Sequence, residues 1–156
     1  MIKILTIYER DVAIDILMDG RSSIKELGID QWQGEYPNEH TIDEMIENKN
    51  AFIDSNHSAI LNIKYIDKSY SHFNLKNYAV IHTLAVKKSS LKKGVATNFL
   101  QEVMKYLFEK GIKTICIDTH EGNIPMINLI KKLGFSYLGE VIVSDGTKRV
   151  AYKKQA

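Results

Sequence analysis

The sequence predicts an α+β (mixed α/β) fold, with a single domain over residues 1–156. A length of 156 residues lies within the usual range for one domain. A continuous apolar run at residues 78–86 is typical of a central strand that is buried on both faces. From Ala96 to Phe108, apolar residues recur at spacings of three and four, which predicts an amphipathic helix packed on that sheet.

The other elements follow from the same periodicities and from capping residues. Thr41 is interpreted as the N-cap of a helix, since acidic residues fill the turn after it. Asn123 is interpreted as the N-cap of a helix that tolerates Pro125 in its first turn and stops at Gly134. Together these elements make a sheet of six to seven strands flanked by about four helices. The remaining predictions are strands at 2–7, 51–54, 59–66, 114–118, 135–143 and 148–153, and helices from Val12 to Gly20 or Gly28 and from Thr41 to about Asn48.

The composition excludes several classes of protein. Hydrophobic residues make up 44% and charged residues 26%, so neither disorder nor a fibrous architecture is expected. The formal net charge of +2 is too small to indicate a nucleic-acid partner. Cys116 is the single cysteine, so no internal disulfide is expected, and no metal site is predicted. The start of the chain lacks the pattern of a signal peptide, and no apolar run approaches the roughly 18 residues of a membrane span, which predicts a cytoplasmic protein.

A short basic loop at residues 91–96 joins the central strand to the amphipathic helix. Backbone N–H groups at the start of a helix lack partners within the helix, and the helix dipole adds positive charge there. Gly94 allows a ligand to approach the backbone closely, and Lys92 and Lys93 add charge. The loop matches neither the Walker nor the dinucleotide-binding pattern. Taken alone, it is either a phosphate-binding loop or an ordinary strand-to-helix turn.

The region from residue 79 to residue 135 resembles the GCN5-related N-acetyltransferase (GNAT) superfamily, and two motifs carry the resemblance. The family's pyrophosphate-binding signature, Gln/Arg-x-x-Gly-x-Gly/Ala, corresponds to Leu-Lys-Lys-Gly-Val-Ala at residues 91–96. The match holds at Gly94 and Ala96 and fails at Leu91, so one side-chain contact of the family is in doubt while the backbone contacts are not.

The second motif of the family is Asn-x-x-Ala-x-x-Leu-Tyr-x-x-x-Gly-Phe, which corresponds to residues 123–135. The tyrosine of this motif is replaced by Ile130. In many family members that tyrosine is thought to protonate the departing CoA thiolate, which isoleucine cannot do, so another acid or solvent is required. The matching residues are Asn123, Leu129, Gly134 and Phe135.

Further elements resemble a bacterial branch of the superfamily. They are Gln31-Trp32 with Tyr36-Pro37, Ile81-His82-Thr83 on the central strand, and Ile117-Asp118-Thr119-His120 at a strand end. With the closing residues 146–152 included, the resemblance spans nearly the whole chain. It implies a GNAT-like fold with a central mixed, mostly antiparallel, twisted sheet.

The resemblance also implies acetyl-CoA as cofactor. The backbone of the central strand is expected to pair with the pantetheine arm, and the loop with the start of its helix is expected to hold the pyrophosphate. Residues of the second motif complete the expected contacts. The predicted cofactor-binding residues are Leu84, Ala85, Val86, Leu91, Lys92, Lys93, Gly94, Val95, Ala96, Thr97, Asn123, Met126, Leu129 and Lys132.

The reaction of the family is direct attack of an amine on the acetyl-CoA thioester, and the backbone N–H of Leu84 is the expected oxyanion donor. His82 is the preferred base, since alternation along a strand places it on the same face as Leu84. A hydrogen-bonded core histidine, or a bulge that turns it away, is the alternative. Tyr36 and His120 are weaker candidates for proton transfer, and ordering of the turn before Asn123 is the other role considered for His120.

The substrate side is less defined. Trp32 and Tyr36 lie in an aperiodic loop, where an aromatic plug over the core and the wall of an acceptor pocket are equally compatible with the sequence. His82 and Asp118 complete the expected substrate-binding set. The acceptor is a small-molecule or peptide amine of unspecified identity, and a homodimer stays open.

Two other functions were considered. Ile130 favours a non-catalytic acyl-CoA-binding sensor or regulator, because the family's acid is missing. Lysines near the loop suggest a nucleic-acid-binding protein, but they coincide with the predicted phosphate site and no aromatic residues alternate with them. The first alternative is the stronger of the two.

Overall fold

A computed structural model describes residues 1–156. The strands are β1 (Ile2–Ile4), β2 (Ala51–Asp54), β3 (Ala59–Lys64), β4 (Tyr78–Val86), β5 (Thr114–Thr119), β6 (Ser136–Ile142) and β7 (Lys148–Gln155); the helices are α1 (Arg10–Glu26), α2 (Glu39–Asn48), α3 (Val95–Glu109) and α4 (Ile124–Lys132). The seven strands form one sheet in the order β1-β2-β3-β4-β5-β7-β6. The β4–β5 pair is parallel, while the pairs β1–β2, β2–β3, β5–β7 and β6–β7 are antiparallel. The predicted α+β fold is confirmed.

The chain divides into two compact units. Unit 1 consists of residues 1–63 and 83–103, and unit 2 consists of residues 64–82 and 104–156. The arrangement as a single domain stays a prediction.

The core of unit 1 packs α1 and α2 on β2 and β3. Every third or fourth residue of α1 is buried, among them Ala13, Ile16 and Leu17, so one face of the helix contacts the sheet. Gly20 does not break α1, although the sequence allowed a break there. A Cβ at Gly20 would lie 2.8 Å from the Cβ of Ala85, so the absence of a side chain lets the helix approach β4.

Several element boundaries differ from the prediction, and two of those in unit 1 are set by side-chain caps. The first strand ends at Ile4 rather than Ile7, because Thr6 and Glu9 form a capping box that starts a 3-10 turn. The N-cap of α2 is Asn38 and not Thr41: the Asn38 side chain accepts from the N–H of Thr41, whose hydroxyl accepts from the N–H of Asn38. Both corrections arise because side-chain caps three residues apart move the boundary.

Unit 2 is built on residues 78–82 of β4, on β5 and on the β6–β7 hairpin, with Tyr70, Val80 and Cys116 in its core. Residues 68–76 show no hydrophobic period in the sequence, but they contain a 3-10 helix at Lys68–Phe73. A Cβ added at Gly139 of β6 would lie 2.7 Å from the ring of Phe73, so this helix packs directly on the hairpin.

The ends of α3 and α4 follow the predicted glycine stops. Gly111 and Gly134 have φ of 95° and 93°. At each of these helix ends, the N–H of the glycine and the N–H of the next residue donate to carbonyls in the last turn of the helix. Asn123 caps α4 and Pro125 lies in its first turn, as predicted. None of the helices combines the length and the apolar character needed to cross a lipid bilayer.

Candidate active site

The loop before α3 belongs to unit 1 and is open beside Gly94. Gly94 has φ of 77°, a region that favours glycine, and a Cβ added there would meet nothing within 4 Å. Its carbonyl accepts the first hydrogen bond of α3, from the N–H of Asn98 at 3.0 Å. The N–H groups of residues 95–97 therefore have no partner within the helix. Lys92 and Lys93 are both exposed beside this turn, so the loop can receive an anion.

The lysines at the start of the loop are not equivalent. Lys88 donates from its backbone N–H to Asp19, and its ammonium group contacts Ser22 at 2.9 Å and Glu26 at 2.6 Å. These bonds tie the loop to α1. The charge of Lys88 is partly neutralised by Glu26, which leaves Lys92 and Lys93 as the cations better placed to meet a phosphate.

Thr83 interrupts the regular geometry of β4. Its φ of 57° is rare for a β-branched residue and lies outside the range of an extended strand. The strict alternation that placed Val80, His82 and Leu84 on one face therefore does not run through this position. Val80 is fully buried, whereas His82 and Leu84 are partly exposed.

His82 is held by Asp67, a residue that the sequence analysis did not select. Nε2 of His82 lies 2.6 Å from Oδ2 of Asp67, and the two side chains are 22% and 7% exposed. Burial opposes ionisation of Asp67, but hydrogen bonds from His82 and from the N–H of Ser69, together with the nearby charges, lower its pKa below the ordinary value. The capping role of Asp67 toward Ser69 is local and could have been recognised in the sequence. Its contact with His82 could not, because His82 lies 15 positions away.

Asp118 of β5 also has a defined partner. The hydroxyl of Tyr70 donates to Oδ2 of Asp118 at 2.5 Å. Burial raises the pKa of Asp118 above its ordinary value, although the bond from Tyr70 opposes the shift, and burial together with the adjacent Asp118 also raises the pKa of Tyr70. Asp118 is predicted to bind substrate, and the structure shows it bonded to Tyr70.

The turn before α4 is ordered by His120. Nδ1 of His120 accepts from the N–H of Gly122 at 2.9 Å, and its carbonyl accepts from the N–H of Asn123. Along α4, Met126 and Leu129 are partly exposed, while Lys132 is exposed. These contacts give His120 a structural part in the turn, and its role in proton transfer stays a prediction.

Ile130 is fully buried, so the position that holds tyrosine in the family contributes an apolar side chain to the core. Cys116 lies between Ile115 and Ile117, a context that predicts a buried apolar side chain and not a nucleophile. It is buried, and burial raises the pKa of its thiol to about 12. The polar sequence context of His40, His57 and His72 predicts that they lie in surface loops. All three are exposed, but His40 lies in α2 and His72 in the 3-10 helix at Lys68–Phe73, so the loop prediction is wrong for these two.

The aromatic loop of unit 1 is anchored by Arg21. Its guanidinium donates to the carbonyl of Pro37 at 2.7 Å and to that of Gly34. Trp32 packs against the core beside Gly20, which supports its interpretation as a plug. Tyr36 is 60% exposed. The loop is therefore fixed at both ends, with Tyr36 projecting outward between them.

The model of the Acetyltransferase (GNAT) family matches residues 29–135 of the chain. This span covers most of the chain, from the aromatic loop through α4. The chain belongs to the GNAT acetyltransferase family.

Solved structures agree with the family. The GNAT chain is similar to a GNAT-family acetyltransferase from Streptococcus agalactiae 2603, with 28% identity, a TM-score of 0.88, and coverage of 100% of this chain and 95% of the other. A GNAT-family acetyltransferase from Listeria monocytogenes 4b F2365 shares 17% identity, with a TM-score of 0.77 and coverage of 100% and 94%. The PaiA N-acetyltransferase of Thermoplasma acidophilum, solved in complex with coenzyme A, shares 17% identity, with a TM-score of 0.74 and coverage of 100% and 98%. No curated protein matches the sequence of this GNAT chain.

Proposed function

We propose that this GNAT protein is an acetyl-CoA-dependent N-acetyltransferase that transfers an acetyl group to a primary amine. The observation that carries the proposal is the open turn at Gly94, where a positive φ and the first N–H groups of α3 form an anion-binding surface. In a chain of this family, the anion of choice is the pyrophosphate of coenzyme A.

The residues around the turn fit that ligand. A Cβ at Gly94 would point into open space, the N–H groups of residues 95–97 precede the first helical bond, and Lys92 and Lys93 are exposed. Backbone donors and two cations suit a phosphate group better than a neutral ligand. Leu91, which stands where the family has Gln or Arg, is exposed and offers no side-chain donor.

The backbone of β4 beyond Thr83 supplies the remaining contacts in the proposal. The N–H of Leu84 donates to the carbonyl oxygen on which negative charge develops during transfer. Ala85 and Val86 continue the backbone along which the pantetheine arm lies. The proposed contacts of Asn123, Met126, Leu129 and Lys132 rest on the second motif of the family.

His82 is the proposed base. Its side chain is partly exposed on β4 and hydrogen-bonded on one ring nitrogen, so the other nitrogen is available to take a proton from the attacking amine. With Ile130 buried in the core, solvent protonates the departing thiolate. A thiol with a pKa of ~8.5 gives a stable thiolate as leaving group, so transfer does not require a dedicated acid.

The buried Ile130 also supports a second candidate, a non-catalytic acyl-CoA-binding sensor. Such a protein needs the anion-binding turn but neither a base nor an acceptor. The two candidates differ in one measurable property, which is turnover.

Titration calorimetry with acetyl-CoA and with CoA, combined with CoA-thiol release across a panel of small amines, polyamines and peptides, separates them. Micromolar binding with release on at least one amine supports the transferase. Binding without thiol release on any amine supports the sensor. If the protein neither binds CoA nor releases its thiol, the proposal is overturned. Buried Cys116, whose thiol has a pKa of about 12, does not compete with CoA for the thiol reagent. The cytoplasmic location and the oligomeric state stay predictions.

A further inference from the structure

We propose that Asp67 is a positioning residue that fixes His82 in the single tautomer able to act as base, which rests on the proposed function. The residue lies outside every motif of the sequence and enters only through its contact with β4. Its two carboxylate oxygens have different hydrogen-bond partners, and the inference rests on this difference. Oδ1 accepts from the N–H of Ser69 at 2.9 Å, and Oδ2 lies 2.6 Å from Nε2 of His82.

The charge state of Asp67 determines the direction of the hydrogen bond. Burial works against ionisation, but the bonds from His82 and Ser69 and the nearby cation Lys64 keep its pKa below the ordinary value. A carboxylate can only accept, so Nε2 of neutral His82 must carry the proton. The lone pair of His82 then resides on Nδ1, the nitrogen turned away from Asp67.

The backbone of Asp67 is also held in place by hydrogen bonds. Its N–H donates to the hydroxyl oxygen of Tyr78 at 3.1 Å, and that hydroxyl donates to the Asp67 carbonyl at 3.3 Å. Asp67 also caps the 3-10 helix at residues 68–73, which is seated on Gly139 through Phe73. The carboxylate therefore cannot turn away from His82 without disturbing this helix.

Other charged and titratable groups surround the pair within unit 2. Asp118 of β5 interacts electrostatically with both His82 and Asp67, and it is bonded to Tyr70 of the 3-10 helix. Arg149 of β7 acts on Asp118, and Lys64 of β3 acts on Asp67. Two carboxyl groups thus face one imidazole, and Asp67 is the one hydrogen-bonded to it.

The proton balance of the step is simple. The amine nitrogen bonds to the thioester carbon, and the C–S bond breaks with its electron pair on sulfur. The proton lost by the amine passes to Nδ1 of His82, and Asp67 stabilises the resulting imidazolium through Nε2–H. The thiolate takes a proton from water, and His82 later returns its own proton to solvent.

Asp67→Asn is the informative substitution because it changes one atom. If the amide oxygen keeps its bond to Ser69, the amide nitrogen replaces Oδ2 and donates to Nε2 of His82. That reversal moves the imidazole proton to Nδ1 and removes the lone pair that serves as base. Asparagine remains a good N-cap, so the helix at residues 68–73 is expected to persist.

Nitrogen-15 NMR of the histidine side chains in the free protein tests the tautomer without any substrate. We expect the Nε2–H form of His82 in the wild type and the Nδ1–H form in Asp67→Asn. Asp145→Asn is the matched control, because Asp145 also accepts from a backbone N–H two positions ahead, that of Thr147, but faces no histidine. The control should leave the His82 signals unchanged. Identical His82 spectra in the wild type and Asp67→Asn overturn the proposal.

Turnover gives the second readout. With an amine that the wild type acetylates, Asp67→Asn should lower kcat by about 10²- to 10⁴-fold, the usual contribution of a positioned base. The dissociation constant for CoA should not change. A rate equal to that of the wild type would contradict the role of Asp67. If the wild type acetylates no amine, the proposed function fails, while the NMR result still decides the tautomer.

Discussion

Gly20 of α1 faces Ala85 of β4 so closely that a Cβ at position 20 would stand 2.8 Å from the Ala85 Cβ. Contacts this short force a neighbour to move, and both partners are buried. Because the backbone at Ala85 is proposed to pair with pantetheine, the spacing between helix and strand bears on both stability and ligand binding.

Gly20→Ala should therefore destabilise the protein despite improving helix propensity. The clash costs about 1–3 kcal/mol, whereas alanine gains about 1 kcal/mol over glycine in a helix interior. We expect a net loss of about 1 kcal/mol in urea unfolding and weaker CoA binding by calorimetry. Asp15→Ala, at an exposed position of the same helix, is the control and should change neither quantity appreciably. A Gly20→Ala protein as stable as the control would show that α1 can withdraw from β4 at no cost.

Gly94→Glu should strongly weaken CoA binding while the protein stays folded. The new side chain brings negative charge to the proposed phosphate site and strain at a φ of 77°. Loss of two charge-assisted hydrogen bonds at about 1.5 kcal/mol each corresponds to roughly a 100-fold rise in Kd. Calorimetry with CoA measures the loss.

Gly146→Glu is the matched control for Gly94→Glu. Gly146 is exposed in the β6–β7 turn with a φ of 83°, and a Cβ there also meets nothing within 4 Å. It should carry the same backbone strain and keep the affinity of the wild type. Equal affinity in the two variants would remove the loop from the proposed binding site.

Arg21→Ala should separate acceptor binding from CoA binding. Without the guanidinium, the carbonyls of Gly34 and Pro37 lose their shared donor and the loop that carries Tyr36 is no longer anchored. We expect a loss of about 1–2 kcal/mol in stability, a higher KM for the amine, and no change in the Kd for CoA. Steady-state kinetics with Lys25→Ala as an exposed control would test this, and an unchanged KM would argue against a role for the loop in acceptor recognition.

Asp118 makes stability fall as pH rises. Burial raises its pKa in the folded protein, so the folded state keeps a proton that the unfolded chain has already released. The penalty develops from the ordinary value of 3.8 up through the raised folded value. Asp118→Asn removes the titration and keeps an acceptor for Tyr70. Its free energy of unfolding should exceed that of the wild type at neutral pH, with the difference vanishing toward pH 3.

Asp67→Asn should show the opposite dependence. Burial opposes ionisation, but the bonds from His82 and Ser69 prevail and lower the pKa of Asp67. Its stabilising contribution is therefore present above the ordinary value of 3.8 and is lost as pH falls through the lower folded value. Urea unfolding across this range, followed by Trp32 fluorescence, compares the two variants. Curves of the same sign for both would contradict the assignment of opposite shifts.

Local sequence determined much of the fold. Strand and helix periodicities, the cap at Asn123 and the glycine stops act over a few residues, so they can be recognised in the sequence. The predictions failed where two side chains cap one helix start reciprocally, as Asn38 and Thr41 do. They also failed at Thr83, whose positive φ has no marker in the sequence.

The sequence by itself determined the α+β fold and the family, because glycine turns, caps and apolar spacing are local properties and the two motifs are contiguous. Only the tertiary structure paired Asp67 with His82, Tyr70 with Asp118, and Gly20 with Ala85. These partners are 15, 48 and 65 positions apart, and a pairing at such separations depends on strand order and on how the intervening loop folds back. The fold thus sets the charge and hydrogen bonding around the proposed base, because the two members of each pair lie far apart in the sequence and meet only in the folded chain.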